Sequence, residues 1–143
     1  MPTDNLINRL DVTKNVAIGI DLPLFDDYGS RFKLNYTTLD QASANARNLM
    51  LTNQGERIML PTFGCNLYKI LFDNITDSMI DDLKLLVKEQ FDYWLPYIFI
   101  NDLQINATGE DNKNTLRIQM IISLKNNTFD TKPLFLEISN RTA

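Results

Sequence analysis

Apolar residues recur at helical spacing twice between Thr38 and Trp94, and beyond Pro96 the spacing falls to two. In the first helical stretch Leu39, Ala42, Ala46, Leu49 and Met50 share one face, while Asp40, Ser43, Arg47 and Asn48 take the other. Thr38 and Gln41 have the spacing of a capping box, which places the helix start at Thr38. The helix is expected to end near Leu51, before the turn-forming Thr52-Asn53-Gln54-Gly55. A second, broader stripe runs through Met79, Ile80, Leu83, Leu86, Val87, Phe91 and Trp94, with Asp81, Asp82, Lys84, Lys88 and Glu89 towards water. Thr76 is placed to cap it, Asp77 complements the positive end of its dipole, and Pro96 stops it by Trp94 or Leu95.

After Pro96, Ile98, Ile100, Leu103 and Ile105 predict a strand that is irregular at Asn101-Asp102. Thr108 to Asn114 reads as a hairpin loop. Leu116, Ile118, Met120, Ile122 and Leu124 then alternate with Arg117, Gln119, Ile121 and Ser123, and Leu134, Leu136 and Ile138 alternate again after a polar turn region, Lys125 to Lys132. The pattern predicts an α+β fold, with two main helices packed on one face of a small, mainly antiparallel C-terminal sheet. Consecutive strands leave at least one sheet edge exposed. An extended N-terminal arm, residues 1–37, precedes this domain, residues 38–143. The arm contains Pro2, Gly19, Pro23 and Gly29 and alternates only at Val16, Ile18 and Ile20. Leu22, Leu24, Phe25, Phe32 and Leu34 are its candidate anchors, on its own domain or on a neighbour.

The least generic stretch joins the two helices. Gly55 suits a positive φ in a turn, Ile58-Met59-Leu60 reads as a short strand or buried connector, and Pro61 keeps Leu60 out of any helix. Thr62 to Asn66 makes a second turn, with Asn66 as the side-chain cap of a short helix from Leu67 to Phe72. On local physics Gly55 and Gly64 serve backbone geometry, Pro61 chain direction, and Phe63, Leu67 and Leu71 core burial. Cys65 reads as a small buried hydrophobe. Arg57, a charge among apolar residues, suggests either a buried pairing or contact with a partner.

Composition narrows the function. In 143 residues, 44% are hydrophobic and 22% charged, as expected of one globular domain, and the net charge of −4 argues against nucleic acid as partner. One cysteine excludes an internal disulfide. No apolar run approaches a membrane span, and the polar Met1-Pro2-Thr3-Asp4 start is unlike a signal peptide, which predicts a protein made and kept on the cytosolic side. Histidine is absent, so nucleophilic triads and zinc chemistry lose their usual ligand and base, and no cofactor or metal site is expected. Paired carboxylates remain for glycoside hydrolysis. The glutamates Glu56, Glu89, Glu110 and Glu137 fall on a turn, a helix face, a hairpin loop and a strand, and no pattern places two in one cleft.

The string GERIMLPTFGCNL, with Gly55, Arg57, Pro61, Phe63, Gly64 and Cys65 spaced as G-x-R-x-x-x-P-x-F-G-C, resembles the baseplate wedge and sheath-initiator family of contractile-tailed phages. The same family occurs in type VI secretion and related injection machines. The resemblance implies a structural protein without chemistry or cofactor, located in the virion tail baseplate and in the host cytoplasm during assembly. Its implied partners are other wedge proteins, tail sheath subunits and tube-proximal baseplate proteins, with no nucleic acid and no membrane. Its sheet would offer an open edge to sheath strands. A Glu-Pro-Arg motif after the long helix marks the family. Leu95-Pro96-Tyr97 stands at those positions here, so an apolar partner contact by Trp94, Leu95, Pro96 and Tyr97 replaces the ion pairing. A type VI baseplate component, a lysozyme-like peptidoglycan hydrolase and a generic binding adaptor are the alternatives.

Overall fold

A computed structural model describes residues 15–24, 32–72, 76–110 and 113–139, without the side chains of 109, 110, 113 and 114. Two short strands, β1 (Gly19–Ile20) and β2 (Leu34–Asn35), form an antiparallel ribbon. Helices α1 (Thr38–Leu51), α2 (Leu67–Ile70) and α3 (Asp77–Trp94) follow, and then β3 (Ile98–Glu110), β4 (Lys113–Leu124) and β5 (Asn127–Ser139). The last three make one antiparallel sheet in the order β3-β4-β5. The α+β arrangement expected from the sequence is therefore present, with α3 against β3 and α1 against β4 and β5.

Both long helices form where the apolar stripes place them. The cap of α1 lies one residue earlier than expected: the Thr37 hydroxyl oxygen accepts from the Asp40 amide at 3.2 Å and donates to the Asp40 carboxylate at 2.6 Å. Asp40 binds the hydroxyl better than a neutral amide would, which moves the start from the Thr38–Gln41 pair. Gln41 turns instead to Asn35, whose Nδ2 donates to Gln41 Oε1 at 3.2 Å. Ser43, expected on the wet face, is buried together with Ala44. The cause is that α1 touches the sheet, α2 and the β1–β2 ribbon at once. The cap of α3 is the expected one, with the Thr76 hydroxyl accepting from the Met79 amide.

The sheet buries one face. Ile98, Ile105, Leu116, Ile118, Met120, Ile122, Leu134, Leu136 and Ile138 join Leu49, Met50, Leu83, Val87 and Phe91 in a single core. Each such side chain contributes about 1.5–3 kcal/mol by leaving water. The parity of β3 changes along its length, from Ile98 and Ile100 to Leu103, Ile105 and Ala107. A bulge between Ile100 and Asp102 absorbs the extra residue, Asn101, so both runs face the helices. Ser123 fixes it by donating its hydroxyl to Asn101 Oδ1 at 2.7 Å, with no exposure of its own.

Three expectations change. The first hairpin is tighter than Thr108 to Asn114, because the ladder continues to the Glu110–Lys113 pair. Only Asp111 and Asn112, outside the described residues, connect the strands. The polar stretch after Lys125 is already strand β5, although its register jumps between the Thr131–Ser123 and Asn127–Leu124 pairs and leaves Phe129 exposed. Among the arm's candidate anchors, Leu22 is half-buried, Leu24, Phe32 and Leu34 are exposed, and Phe25 lies outside the described residues; Asn35 of the ribbon is buried.

Lys132 on β5 forms an ion pair with Asp40 in the first turn of α1. Burial pushes the Asp40 carboxyl up, but the Lys132 and Thr37 hydrogen bonds outweigh it and hold its pKa below the ordinary 3.8. A depressed carboxylate adds stability above its unfolded value and loses it as pH falls through the folded one. Asp40→Asn should therefore lower stability near neutrality by less than about 1 kcal/mol, since the pair is partly exposed. Denaturant titrations should show that difference vanishing below pH 3.8.

Candidate functional site

Polar contacts shape the upper part of the loop from Thr52 to Asn66. Gly55 N–H donates to the Pro61 carbonyl at 2.8 Å, closing the loop across its base, and Leu60 N–H donates to Arg57 at 3.1 Å inside it. Asn53 donates its amide and side chain to the Glu56 carboxylate. Gln54 and Asn66 exchange two further bonds, Gln54 N–H to Asn66 Oδ1 at 2.8 Å and Asn66 Nδ2 to Gln54 Oε1 at 2.9 Å. Asn66 is consequently left-handed, at φ 53°, and makes no side-chain cap for α2, which runs only to Ile70. The expected cap is thus spent across the loop.

Ile58-Met59-Leu60 is neither a strand nor a buried connector. It forms the tip of the loop, with Ile58 93% and Met59 89% exposed. The run is too short to reach the core once Gly55 and Pro61 are bonded to each other. Below the tip the expected burial is found: Phe63, Cys65, Leu67 and Leu71 are core residues. Gly64 has a φ of 123°, and a Cβ there would lie 2.2 Å from the Thr52 carbonyl oxygen, so backbone, not a side chain, excludes every other residue. Burial pushes the Cys65 thiol up to about 12.

The loop meets the end of α3 through aromatic contacts. The Arg57 guanidinium lies 4.1 Å from the centre of the Phe63 ring, and Phe63 meets Trp94 edge-on at 5.2 Å. Trp94 meets Tyr93 edge-on at 4.9 Å and donates its indole N–H to Gln90. Arg57 and Trp94, chosen separately from the sequence, thus belong to one cluster. Leu95 is buried in the core, so the surface at this corner comes from half-buried Trp94 and exposed Pro96 and Tyr97. Tyr97 is tied back to α1, its hydroxyl accepting from Asn45 Nδ2 at 2.8 Å.

The sheet supplies a second candidate surface, its margins. Pro133 pairs with Ile121. Lacking an N–H, it must stand where the β5 backbone turns away from β4. Phe135 and Glu137 share that parity, and the Phe135 carbonyl accepts a long 3.4 Å bond from Arg47 on α1. By the same ladder, Asp102, Gln104, Asn106 and Thr108 face β4, and the amides and carbonyls of Leu103, Ile105 and Ala107 point outward. Among the described residues, no group bonds those three. The sequence announced an open edge but not which one; the proline within β5 was the available signal.

No group of three or more His, Cys, Asp or Glu residues suited to a metal ion occurs among the described residues. Glu56 is bound to Asn53, and Glu137 is paired with Arg117 at 3.0 Å on the outer sheet face.

Two outcomes test the loop. Gly64→Ala should cost on the order of 1–3 kcal/mol in chemical denaturation, since it adds both a disfavoured φ and a backbone clash. Cys65 should resist alkylation at pH 8 in the native protein and react once denatured; equal rates in both states would contradict its burial.

Similar folds occur among solved structures. A chain in the baseplate of the anti-feeding prophage superposes with a TM-score of 0.59 at 23% identity, covering 78% of this chain and 86% of that one. A putative tail lysozyme from Geobacter sulfurreducens gives 0.54 at 22% identity, covering 72% and 92%. No curated protein matches significantly. The sequence profile described as baseplate wedge protein gp25 matches residues 39–128, from the first turn of α1 to the start of β5, and on that match the chain belongs to the gp25 family of baseplate wedge proteins.

Proposed function

We propose that this protein is a structural component of a contractile-tail baseplate wedge and helps to start the sheath by lending an unpaired sheet margin to sheath strands. Family membership supports the wedge role, and the anti-feeding prophage neighbour is itself a baseplate chain. The observation that carries the sheath role is the row of outward backbone groups at Leu103, Ile105 and Ala107. An extended segment laid beside them gains a ladder of hydrogen bonds with little rearrangement of either partner. Residues 38–143 form the assembling domain, preceded by the arm of residues 1–37. The corner of Arg57, Trp94, Pro96 and Tyr97 contacts other wedge proteins, with tube-proximal baseplate proteins beyond them. The protein works in the tail baseplate after assembly in the host cytoplasm, and it acts by binding alone, with no catalysis, cofactor, nucleic acid or membrane. The type VI baseplate reading keeps the same surfaces and changes only the particle.

A peptidoglycan hydrolase is the second reading, favoured by the tail lysozyme neighbour. Against it stand the engagement of Glu56 by Asn53 and of Glu137 by Arg117, on different parts of the molecule.

Particles assembled with Tyr97→Ala or Arg57→Ala should contain severalfold less of this chain by quantitative mass spectrometry. Circular dichroism should be unchanged, because Arg57 loses only a cation–π contact of about 0.5–1 kcal/mol. Normal incorporation of both variants would remove the corner from the interface. Purified protein that cleared a cell-wall suspension, against a Glu56→Gln, Glu137→Gln control that did not, would establish the hydrolase instead.

A further inference from the structure

We infer that the exposed turn at Ile58 and Met59 is a preformed apolar plug that enters an uncharged, apolar socket on another baseplate protein. The inference rests on the wedge-contact reading of the Arg57–Trp94 corner above and adds the side chains that enter the partner and the kind of cavity that receives them.

Three successive turns carry the chain out and back. Glu56 N–H donates to the Asn53 carbonyl at 3.2 Å, Leu60 N–H to that of Arg57 at 3.1 Å, and Phe63 N–H to that of Leu60 at 3.1 Å. Ile58 and Met59 are the two central residues of the middle turn. Such positions ordinarily go to Pro, Asp, Asn, Ser or Gly, whose local chemistry favours the bend. Neither Ile58 nor Met59 makes this bend, because Gly55, at φ 91°, and the bond from its amide to the Pro61 carbonyl close the loop. Neither holds the core, because both side chains stand in water. Two large apolar residues at positions that neither folding nor solubility favours are accounted for by a surface met on assembly.

Shape and charge define that surface. A two-residue turn is convex, so its side chains are covered on all sides only within a concavity. The charges beside it are already engaged: Glu56 accepts from the Asn53 amide and side chain, and the Arg57 guanidinium lies over the Phe63 ring. An ionic wall in the socket would lose water without gaining a partner there. A lipid surface fits less well, because Arg57 is the one cation between Thr52 and Asn66 and is held at Phe63, and the chain's net charge is −4. The plug is continuous with the corner, since Arg57 precedes Ile58 and reaches Trp94 through Phe63. A neighbour seated at Trp94 and Tyr97 therefore lies beside the plug. The loop is bonded into its shape before the partner arrives, so entry costs little conformational entropy.

Binding of the full-length protein to a purified wedge complex of the same particle, assembled without this chain, tests this. Ile58→Ser and Met59→Ser should each weaken binding on the order of tenfold and the pair together more, while Ile58→Leu with Met59→Leu stays near the parent. All should keep the parent's unfolding temperature, because neither side chain is buried in the free protein. Parent-like binding by the serine pair, alongside weakened binding by Tyr97→Ala, overturns the plug and leaves the corner standing. Equal loss in the serine and leucine pairs overturns the apolar character of the socket. Dimers of the parent that the serine pair abolishes would put the socket on a second copy. Co-sedimentation of the parent, but not the serine pair, with phosphatidylethanolamine–phosphatidylglycerol vesicles would put the tip in lipid; either result overturns the assignment. Failure of the parent to bind the wedge complex overturns the wedge contact and this inference with it.

Discussion

A three-stranded sheet has two margins, and every outward amide and carbonyl on them needs water, a side chain or another strand. This constraint organises the molecule. On β5 the protein answers it in part, by a proline where one donor would point out and by Arg47 reaching one carbonyl from α1. On β3, from Leu103 to Ala107, no described residue does so.

The bulge at Asn101 is what keeps both halves of β3 on the core. Without it, Ile98 and Ile100 or Leu103 and Ile105 would turn to water, and the strand could not lie flat beneath α3 along its whole length. Ser123, fully buried, is tolerated because its hydroxyl is bonded to the bulged side chain. The same bulge changes the phase of the outward backbone groups along β3. One inserted residue thus connects core packing to the shape of the margin. The loop from Thr52 to Asn66 shows a different economy: part-buried polar bonds hold it open while Ile58 and Met59 remain in water. Such a tip is stable only because its conformation does not depend on burying those side chains.

Much of this was legible in the sequence. Long helices with broad stripes and strands with clean alternation were placed well, and the parity break between Ile100 and Leu103 disclosed the bulge. The misreadings came where one polar residue had two possible partners. Thr38–Gln41 lost to Thr37–Asp40 because a carboxylate was available, and Asn66 went to Gln54 across the loop in preference to its own helix. Ile58 to Leu60 misled because an apolar run says nothing of direction when its ends are bonded together. At the candidate corner, Arg57 and Trp94 were identified singly. Their junction through Phe63 is a tertiary contact that spacing cannot reveal, and Leu95 drew attention by position although it belongs to the core.

Family membership and fold agree on a wedge protein, and the margin gives that role a physical basis. The most direct measurement is residue-resolved amide hydrogen exchange on the free, full-length protein. The amides of Gln104, Asn106 and Thr108, which face β4, should be protected, and those of Leu103, Ile105 and Ala107 between them should exchange far faster, becoming protected when the sheath subunit binds. Uniform protection along β3 in the free protein would mean that its own chain already covers the margin, and would contradict the account.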